Sequence, residues 1–308
     1  MVAARSARYG CCPPSRGRGT EDLVGRRDGA GEGGTMTRPG LPKLIATDLD
    51  GTLVRSDETV SAYTHRVLDR VRSAGIPVVG ATGRGPRLTE LTRNDIRAAD
   101  FLVMAGGGRV VDQSDPEGPL VLRDERLPGE VLARILTDLE AAVGPLTVMV
   151  EASDEHDAPL WGDYHPSWPY PDRFEARSRL ECLSCDVIKA FARTADHHVD
   201  ELLAAARAVV PPEVATLTQA GLGFIEICPP RTDKASGLSV IADRLGVDPA
   251  DVLVFGDQPN DLPMFDWAGW ARVAVANAHP EVRAAADEIT LRNDDDGVAV
   301  YLDRLLSR

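Results

Sequence analysis

No apolar run in the sequence approaches the ~18 residues that cross a bilayer. Its N-terminus also lacks the apolar stretch of a secretory signal. A membrane span and export are therefore not expected, and the expected compartment is the cytoplasm. Cysteine is scarce: Cys11, Cys12, Cys182, Cys185 and Cys228 are the five in 308 residues. An odd, scattered set in a chain this long excludes a disulfide framework. Cys182 and Cys185 form a C-x-x-C, but a structural zinc site takes about four ligands, and no second pair occurs. His197 and His198 lie nearby without i,i+4 spacing. The cysteine pair reads as two small residues packed in the fold. Positive charge is short as well, with 34 Lys and Arg against 48 Asp and Glu, a net of −14. Residues 1–35 hold six Arg and four acidic residues, while the remaining 273 hold 28 basic and 44 acidic ones. So acidic a body repels nucleic acid and anionic membranes at long range. Neither is an expected partner, and an anionic ligand would need local cations, which calls for a bound metal.

What is present is the composition of a globular chain, 43% hydrophobic and 27% charged, long enough for one large domain or two ordinary ones. Residues 1–35 are Gly/Arg-rich and without periodicity, and they are expected to be disordered. Met36 stands directly before the first folded-looking segment and is the expected natural start; a flexible tail or a targeting arm is the rival reading. From Lys43 onward short apolar runs alternate with helical patterns. KLIAT (43–47), IPVVGAT (76–82) and DFLVMAG (100–106) read as buried strands, separated by a helix over 59–74 that Gly75 terminates and by a short helix begun at Pro86. Buried strands alternating with helices imply a parallel sheet covered on both faces. The pattern changes near residue 120. A helix over 128–143 precedes strand-like runs at 146–152, 186–192, 214–219 and 223–229, with a helix over 197–209 among them. Residues 161–174, WGDYHPSWPYPDRF, read as an aromatic loop. The first pattern then resumes with a helix over 232–245 and strands at 251–257 and 272–277. The expected fold is thus α/β, a doubly wound parallel-sheet (Rossmann-like) core split over residues 40–120 and 229–308, with an inserted α+β cap over 121–228.

Four clusters carry candidate chemistry. Asp48-Leu49-Asp50-Gly51-Thr52 follows the first strand. Residues i and i+2 of an extended chain point the same way, so both carboxylates are expected at one spot on the C-terminal sheet edge, where open α/β sheets bind ligands. An Asp-rich turn is the plain alternative. Thr82-Gly83-Arg84 follows the second strand and offers a hydroxyl, backbone N–H groups free to approach an anion, and a guanidinium for a substrate oxygen. Lys234 lies in the first turn of its helix, where a cation is disfavoured unless an anion binds there; otherwise it reads as a surface lysine. Gly256-Asp257-Gln258-Pro259-Asn260-Asp261 follows a fourth strand, and its oxygen-rich set suits Mg²⁺ or, more plainly, a helix cap.

These motifs, in this order on these strands, resemble the haloacid dehalogenase superfamily of phosphatases. The long insertion between Arg84 and Lys234 and the later segments AVANAHPEVRAAADEIT (274–290) and NDDDGVA (293–299) resemble its Cof-like branch. Two stretches depart from that pattern: Ala105-Gly106-Gly107-Gly108, where relatives carry Asn-Gly-Ala, and Gln258-Pro259. The resemblance implies a phosphoric monoester hydrolase acting on a small phosphorylated metabolite. It makes Asp48 the nucleophile and Asp50 the general acid and base. Thr82, Gly83, Arg84 and Asn260 would lie at the phosphoryl group, with Lys234 offsetting charge. Mg²⁺ would be held by Asp48, the Asp50 carbonyl and Asp257, with Asp261 beside them. The alternatives are a phosphotransferase or phosphomutase on the same core, and a non-catalytic sensor of phosphorylated metabolites.

Overall fold

The structure, a computed structural model, describes residues 40–114, 117–163, 168, 173–219 and 223–307. The expected N-terminal disorder, the question of Met36, and Cys11 and Cys12 lie outside these residues.

Fourteen strands form two sheets among the described residues. The first sheet takes β1 (Leu44–Thr47), β2 (Val78–Ala81), β3 (Phe101–Met104), β4 (Arg109–Asp112) and β5 (Leu120–Asp124) from the first part of the chain. The second takes β6 (Thr147–Glu151), β7 (Leu160–Gly162), β8 (Phe174–Ala176), β9 (Lys189–Arg193), β10 (Thr216–Gln219) and β11 (Ile225–Cys228). The chain then returns to the first sheet with β12 (Val252–Gly256), β13 (Ala271–Ala274) and β14 (Glu288–Ile289). The first sheet runs β14-β13-β12-β1-β2-β3-β4-β5 and the second β10-β11-β9-β6-β7-β8.

From β14 to β3 every pairing in the first sheet is parallel. Strands β1, β2, β3 and β12 are buried at every residue, as strands covered on both faces must be. The parallel expectation fails at one edge: β4 and β5 are antiparallel. The compositional change near residue 120 falls inside β5, which stays in the first sheet. The helices that cover the parallel sheet have ordinary local causes. Helix α1 (Ala62–Ser73) starts where Thr64 N–H donates to the Ser61 hydroxyl, and it turns Val67, Leu68 and Val71 inward. Another, Lys234–Leu245, is capped by Asp233, whose carboxylate accepts from Ser236 N–H at 2.7 Å.

The second sheet is two-faced. Val148, Val150, Ala190, Ala192, Ile225 and Ile227 pack against helices spanning Gly129–Val143 and Val199–Val209. The alternate residues Met149, Phe191 and Phe224 form a separate cluster with Leu160 and Trp168. By strand alternation that second face also carries Glu151, Lys189 and Glu226. Trp161, expected in a loop, lies in β7 and packs with the helix-side cluster, with the Arg177 guanidinium 4.7 Å above its ring. Trp168 stands edge-on to Phe191 and Phe224, at 5.0 and 5.5 Å between centroids. The rest of the aromatic run, 164–167 and 169–172, lies outside the described residues. Cys182 is buried, Cys185 partly so, and both are free thiols. No helix among the described residues is long and apolar enough to cross a membrane.

Candidate active site

Three neighbouring parallel strands end side by side, and each delivers one motif. Asp48 follows β1, Thr82 follows β2 and Asp257 follows β12, with β1 hydrogen-bonded between the other two. The chain runs from β1 to β2 on one side and from β12 to β13 on the other, so the gap between β1 and β12 is the switch point at which open α/β sheets form a crevice. Lys234, the first residue of its helix, reaches into the same place. Its ammonium donates to Asp48 Oδ1 and to Asp261 Oδ1, each at 2.5 Å. The surface-lysine alternative is thereby removed, since Lys234 is 1% exposed.

Asp261 has both oxygens engaged: Oδ2 accepts from the N–H groups of Asp257 and Gln258 at 2.8 and 2.9 Å. Its geometry is that of a brace, holding Lys234 with one oxygen and the loop after β12 with the other. Asp257 accepts from the Thr52 hydroxyl at 2.7 Å and from Gln258 Nε2 at 3.0 Å. The unusual Gln258 thus orients a site carboxylate. Asn277 donates to the Gly51 carbonyl at 2.8 Å and accepts from Asn293 N–H at 3.0 Å, fixing the turn that carries Asp50. Thr52, Gln258, Asn277 and Asn293 received no role from the sequence. The contacts of Thr52 and Asn277 with Asp257 and Gly51 cross 205 and 226 residues of chain, so only the fold brings them together.

Asp48 and Asp50 are not partners in one strand. β1 stops at Thr47, and a turn follows in which Thr52, Leu53 and Val54 N–H groups donate to the Leu49 carbonyl. The two-residue alternation therefore does not run through Asp50. Asp48 is buried on Lys234, whereas Asp50 is held by Arg84, whose Nε and Nη2 donate to it at 2.8 and 2.5 Å. Arg84 Nη1 donates to Asp95 at 2.6 Å. The guanidinium, expected on a substrate oxygen, is here taken up by two carboxylates. Burial disfavours its charge, but those two partners outweigh burial and keep its pKa above the ordinary value. Thr82 Oγ1 accepts from Arg84 N–H at 3.0 Å. The turn at Ala105–Gly107 braces this loop, with Ala105 N–H donating to the Arg84 carbonyl and Gly106 N–H to that of Thr82. Ala105 sits at φ +49°, a region where Asn is at home and Ala is strained. Asn260 lies in the turn Pro259–Asp261, and its Oδ1 is buried without a hydrogen-bond partner among the described residues.

The charge balance invites a cation. Asp48, Asp257 and Asp261 bring ligand oxygens within 4.8 Å of one another, all three are buried, and one ammonium serves them. Burial drives Asp48 well above the ordinary carboxylate range; Lys234 pulls it down, and the charges of Asp261, Asp257 and Asp50 push it up again. Asp257 is raised by burial and by Asp261. Lys234 is held above the ordinary lysine value: burial opposes its charge, and Asp261 and Asp48 overcome that. An all-oxygen, carboxylate-rich donor set of this kind fits a hard divalent ion such as Mg²⁺. Gly51 keeps room beside it, since a Cβ there would lie 2.5 Å from Asp257 Oδ2. The Asp50 side chain is not in this carboxylate group.

The chain as a whole is similar to known phosphatases. The chain is 28% identical over 299 residues to the 5-amino-6-(5-phospho-D-ribitylamino)uracil phosphatase YwtE of Bacillus subtilis, covering 86% of this chain and 98% of that one. It is 29% identical over 265 residues to a phosphoglycolate phosphatase of Methanothermobacter thermautotrophicus, covering 86% and 99%. A crystal structure of a haloacid dehalogenase-like hydrolase from Bacteroides thetaiotaomicron superposes with a TM-score of 0.68 at 26% identity, over 86% of this chain and 99% of that one. The profile of one family matches residues 45–302, nearly everything after the N-terminal extension, and the chain belongs to that family, the haloacid dehalogenase-like hydrolases.

Proposed function

We propose that this protein is a magnesium-dependent phosphatase that hydrolyses a small phosphorylated metabolite, a sugar phosphate or similar, through an aspartyl-phosphate on Asp48. The observation that carries the reading is the set of three buried carboxylates around the Lys234 ammonium at the ends of adjacent parallel strands. A phosphate ester is anionic and could not enter beside these carboxylates without cations to offset the repulsion. Bound Mg²⁺, held by Asp48 and Asp257 with Asp261 as brace, would supply that offset and stabilise charge on the phosphoryl oxygens.

The chain's own groups then divide the work. Lys234 occupies Asp48 Oδ1, which leaves Oδ2 to attack phosphorus. The bond from phosphorus to the ester oxygen breaks, and the departing alkoxide takes a proton from Asp50. In the second step Asp50, now a carboxylate, takes a proton from water while the water oxygen attacks phosphorus. The Asp48–phosphorus bond breaks, releasing inorganic phosphate and regenerating Asp48. Thr82 and the Gly83 N–H hold phosphoryl oxygens throughout, so catalysis is chiefly positioning and charge stabilisation. Arg84 orients Asp50 for the second step. For the first step Asp50 must carry a proton, and Arg84 would then swing toward Asp95 or the incoming phosphoryl oxygens.

The test is phosphate release from a panel of small phosphate esters, with Mg²⁺ and with EDTA. Release is expected with the metal and should fall at least about 100-fold in EDTA; equal release in both would remove the metal from the reading. The relatives named above act on leaving groups as different as a ribitylaminouracil and a glycolate, and we assign discrimination among esters to the second sheet. The expected cap start at 121 falls within β5, which belongs to the first sheet, and we propose residues 125–228 as that cap. Its two tryptophans separate by face. Trp168→Ala should reorder the esters by kcat/KM, by about 10-fold for the most affected. Trp161→Ala, on the helix side, should leave the ranking unchanged. The same reordering in both variants would count against assigning specificity to the Phe191 face.

A further inference from the structure

Outside the carboxylate cluster, a second group of deeply buried charges lies where the second sheet meets the loop after β2. Lys189 on β9 and Glu226 on β11 are each 3% exposed, and Glu151 on β6 is 1% exposed. The Lys189 ammonium donates to Glu226 Oε1 at 2.6 Å and to the backbone carbonyl of Gly83 at 2.6 Å. It also lies 4.6 Å from the centre of the Phe191 ring. A second clasp closes on the same loop: Arg87 N–H donates to Glu151 Oε1 at 3.3 Å, and Asp157 N–H donates to the Arg87 carbonyl at 3.0 Å. Gly85 lies so close beneath Glu151 that a Cβ there would fall 1.9 Å from its carboxylate. A lysine taken wholly out of water keeps its charge only where carboxylates replace the solvent; here Glu226 and Glu151 do so and hold its pKa above the ordinary value despite burial. An apolar pair could have filled this space with less desolvation. What the ion pair adds is a charged donor at one particular backbone oxygen.

That oxygen matters because of the peptide it belongs to. In a planar trans peptide the C=O and the following N–H point in opposite directions. Fixing the Gly83 carbonyl on Lys189 therefore aims the Arg84 N–H, and the structure shows that N–H donating to Thr82 Oγ1 at 3.0 Å. A hydroxyl that accepts there has its hydrogen left to give. We infer that Lys189 is a positioning residue for the reaction: through the Gly83–Arg84 peptide it orients the Thr82 hydroxyl toward a phosphoryl oxygen, and does so only while the second sheet rests on the first. The inference builds on the phosphatase reading of Thr82. It makes the arrival of the cap a condition for a complete phosphoryl site, with no cap side chain needing to touch the phosphoryl group.

The test compares wild type with Lys189→Met/Glu226→Gln, a pair that leaves no unpaired charge in the buried site and so limits the risk of misfolding. Turnover of p-nitrophenyl phosphate with Mg²⁺ is expected to lose about 30-fold in kcat, with KM within about 3-fold, because misaligned groups lower rate more than binding. The same pair placed on Thr82→Val should cost less than about 2-fold, since the hydroxyl that Lys189 orients is gone. Hydrogen exchange at the Arg84 amide should quicken at least about 10-fold in the variant. A full 30-fold loss on the Thr82→Val background would overturn the inference, as would a loss confined to KM, which would mark Lys189 as a substrate contact. Unchanged exchange at Arg84 with wild-type turnover would overturn it too. If wild type releases no phosphate while exchange still quickens in the variant, the phosphatase reading fails and the tether between the sheets stands.

Discussion

Asp48→Asn should lower phosphate release by about 10⁴-fold or more while the chain stays folded. The estimate follows from removing the group that bonds to phosphorus, for which no neighbour can substitute. Asp50 is held by Arg84, and Asp261 has both oxygens engaged. Turnover near wild type in the purified variant would remove the nucleophile assignment. The same substitution has a second expected effect, of opposite sign for stability. Burial raises the Asp48 pKa well above its ordinary 3.8, Lys234 moderates the rise, and the carboxylates of Asp261, Asp257 and Asp50 add to it. A carboxyl raised in the folded chain binds its proton more tightly folded than unfolded. Wild type, in EDTA, therefore loses stability as pH climbs from near 3.8 through the raised value. Asparagine cannot ionise, and Lys234 keeps its contact with Asp261. The metal-free variant should then melt above wild type at pH 7.5, and the gap should close as pH falls toward 4. Thermal melts in EDTA across that range check the sign, and a variant less stable than wild type at pH 7.5 would show that the Lys234–Asp48 attraction outweighs burial.

Lys234→Met should have the largest effect on the fold itself. The ammonium is 1% exposed and sits between two carboxylates at 2.5 Å. Removing one partner of a buried ion pair costs about 3–5 kcal/mol, which for a chain of this size is roughly 5–9 °C in Tm. Part of that loss should return in Mg²⁺ and not in EDTA, because the metal is the other cation able to serve these carboxylates. Turnover with Mg²⁺ should still fall about 10³-fold, since the repulsion facing the substrate is then offset by the metal alone. A melt unchanged in EDTA would mean that the carboxylates hold protons there and never depended on Lys234.

The parallel core was legible in the sequence because its strands are uninterrupted apolar runs and its helices carry local stop signals. LIAT, VVGA, FLVM and VLVFG are each buried at every position, and Gly246 ends its helix in the left-handed conformation at φ +64°. The strands that went unread, β4, β5, β7, β8 and β14, are two to five residues long. Several lie at or near sheet edges, where one-sided burial leaves no apolar run. β5 is half-exposed or exposed throughout, so its Leu-Val-Leu carries no more signal than a surface loop would. Within the site, the groups that do local things were visible: carboxylates after strands, a lysine at a helix start. Arg84 was placed correctly on the loop and assigned to the substrate, because its partners Asp50 and Asp95 meet only in three dimensions. Lys189 and Glu226 gave no sign of pairing, being 37 residues apart on strands whose apolar neighbours dominate the pattern.

The insertion also sets an order of events in time. The central strand β1 finds one neighbour, β2, early in the chain and the other, β12, only after the whole second sheet has been made; 205 residues separate Thr52 from the Asp257 it holds. At a ribosomal pace of about 5–20 residues per second, that delay lasts roughly 10–40 s. Throughout it the nascent core would present one bare strand edge, an open template for any other extended chain. Residues 147–228, complete before β12 emerges, would be free to fold first. The late segment that closes the sheet is also the one that brings Asp257 and Asp261, so an unfinished chain would be without the full carboxylate set until its edge was sealed.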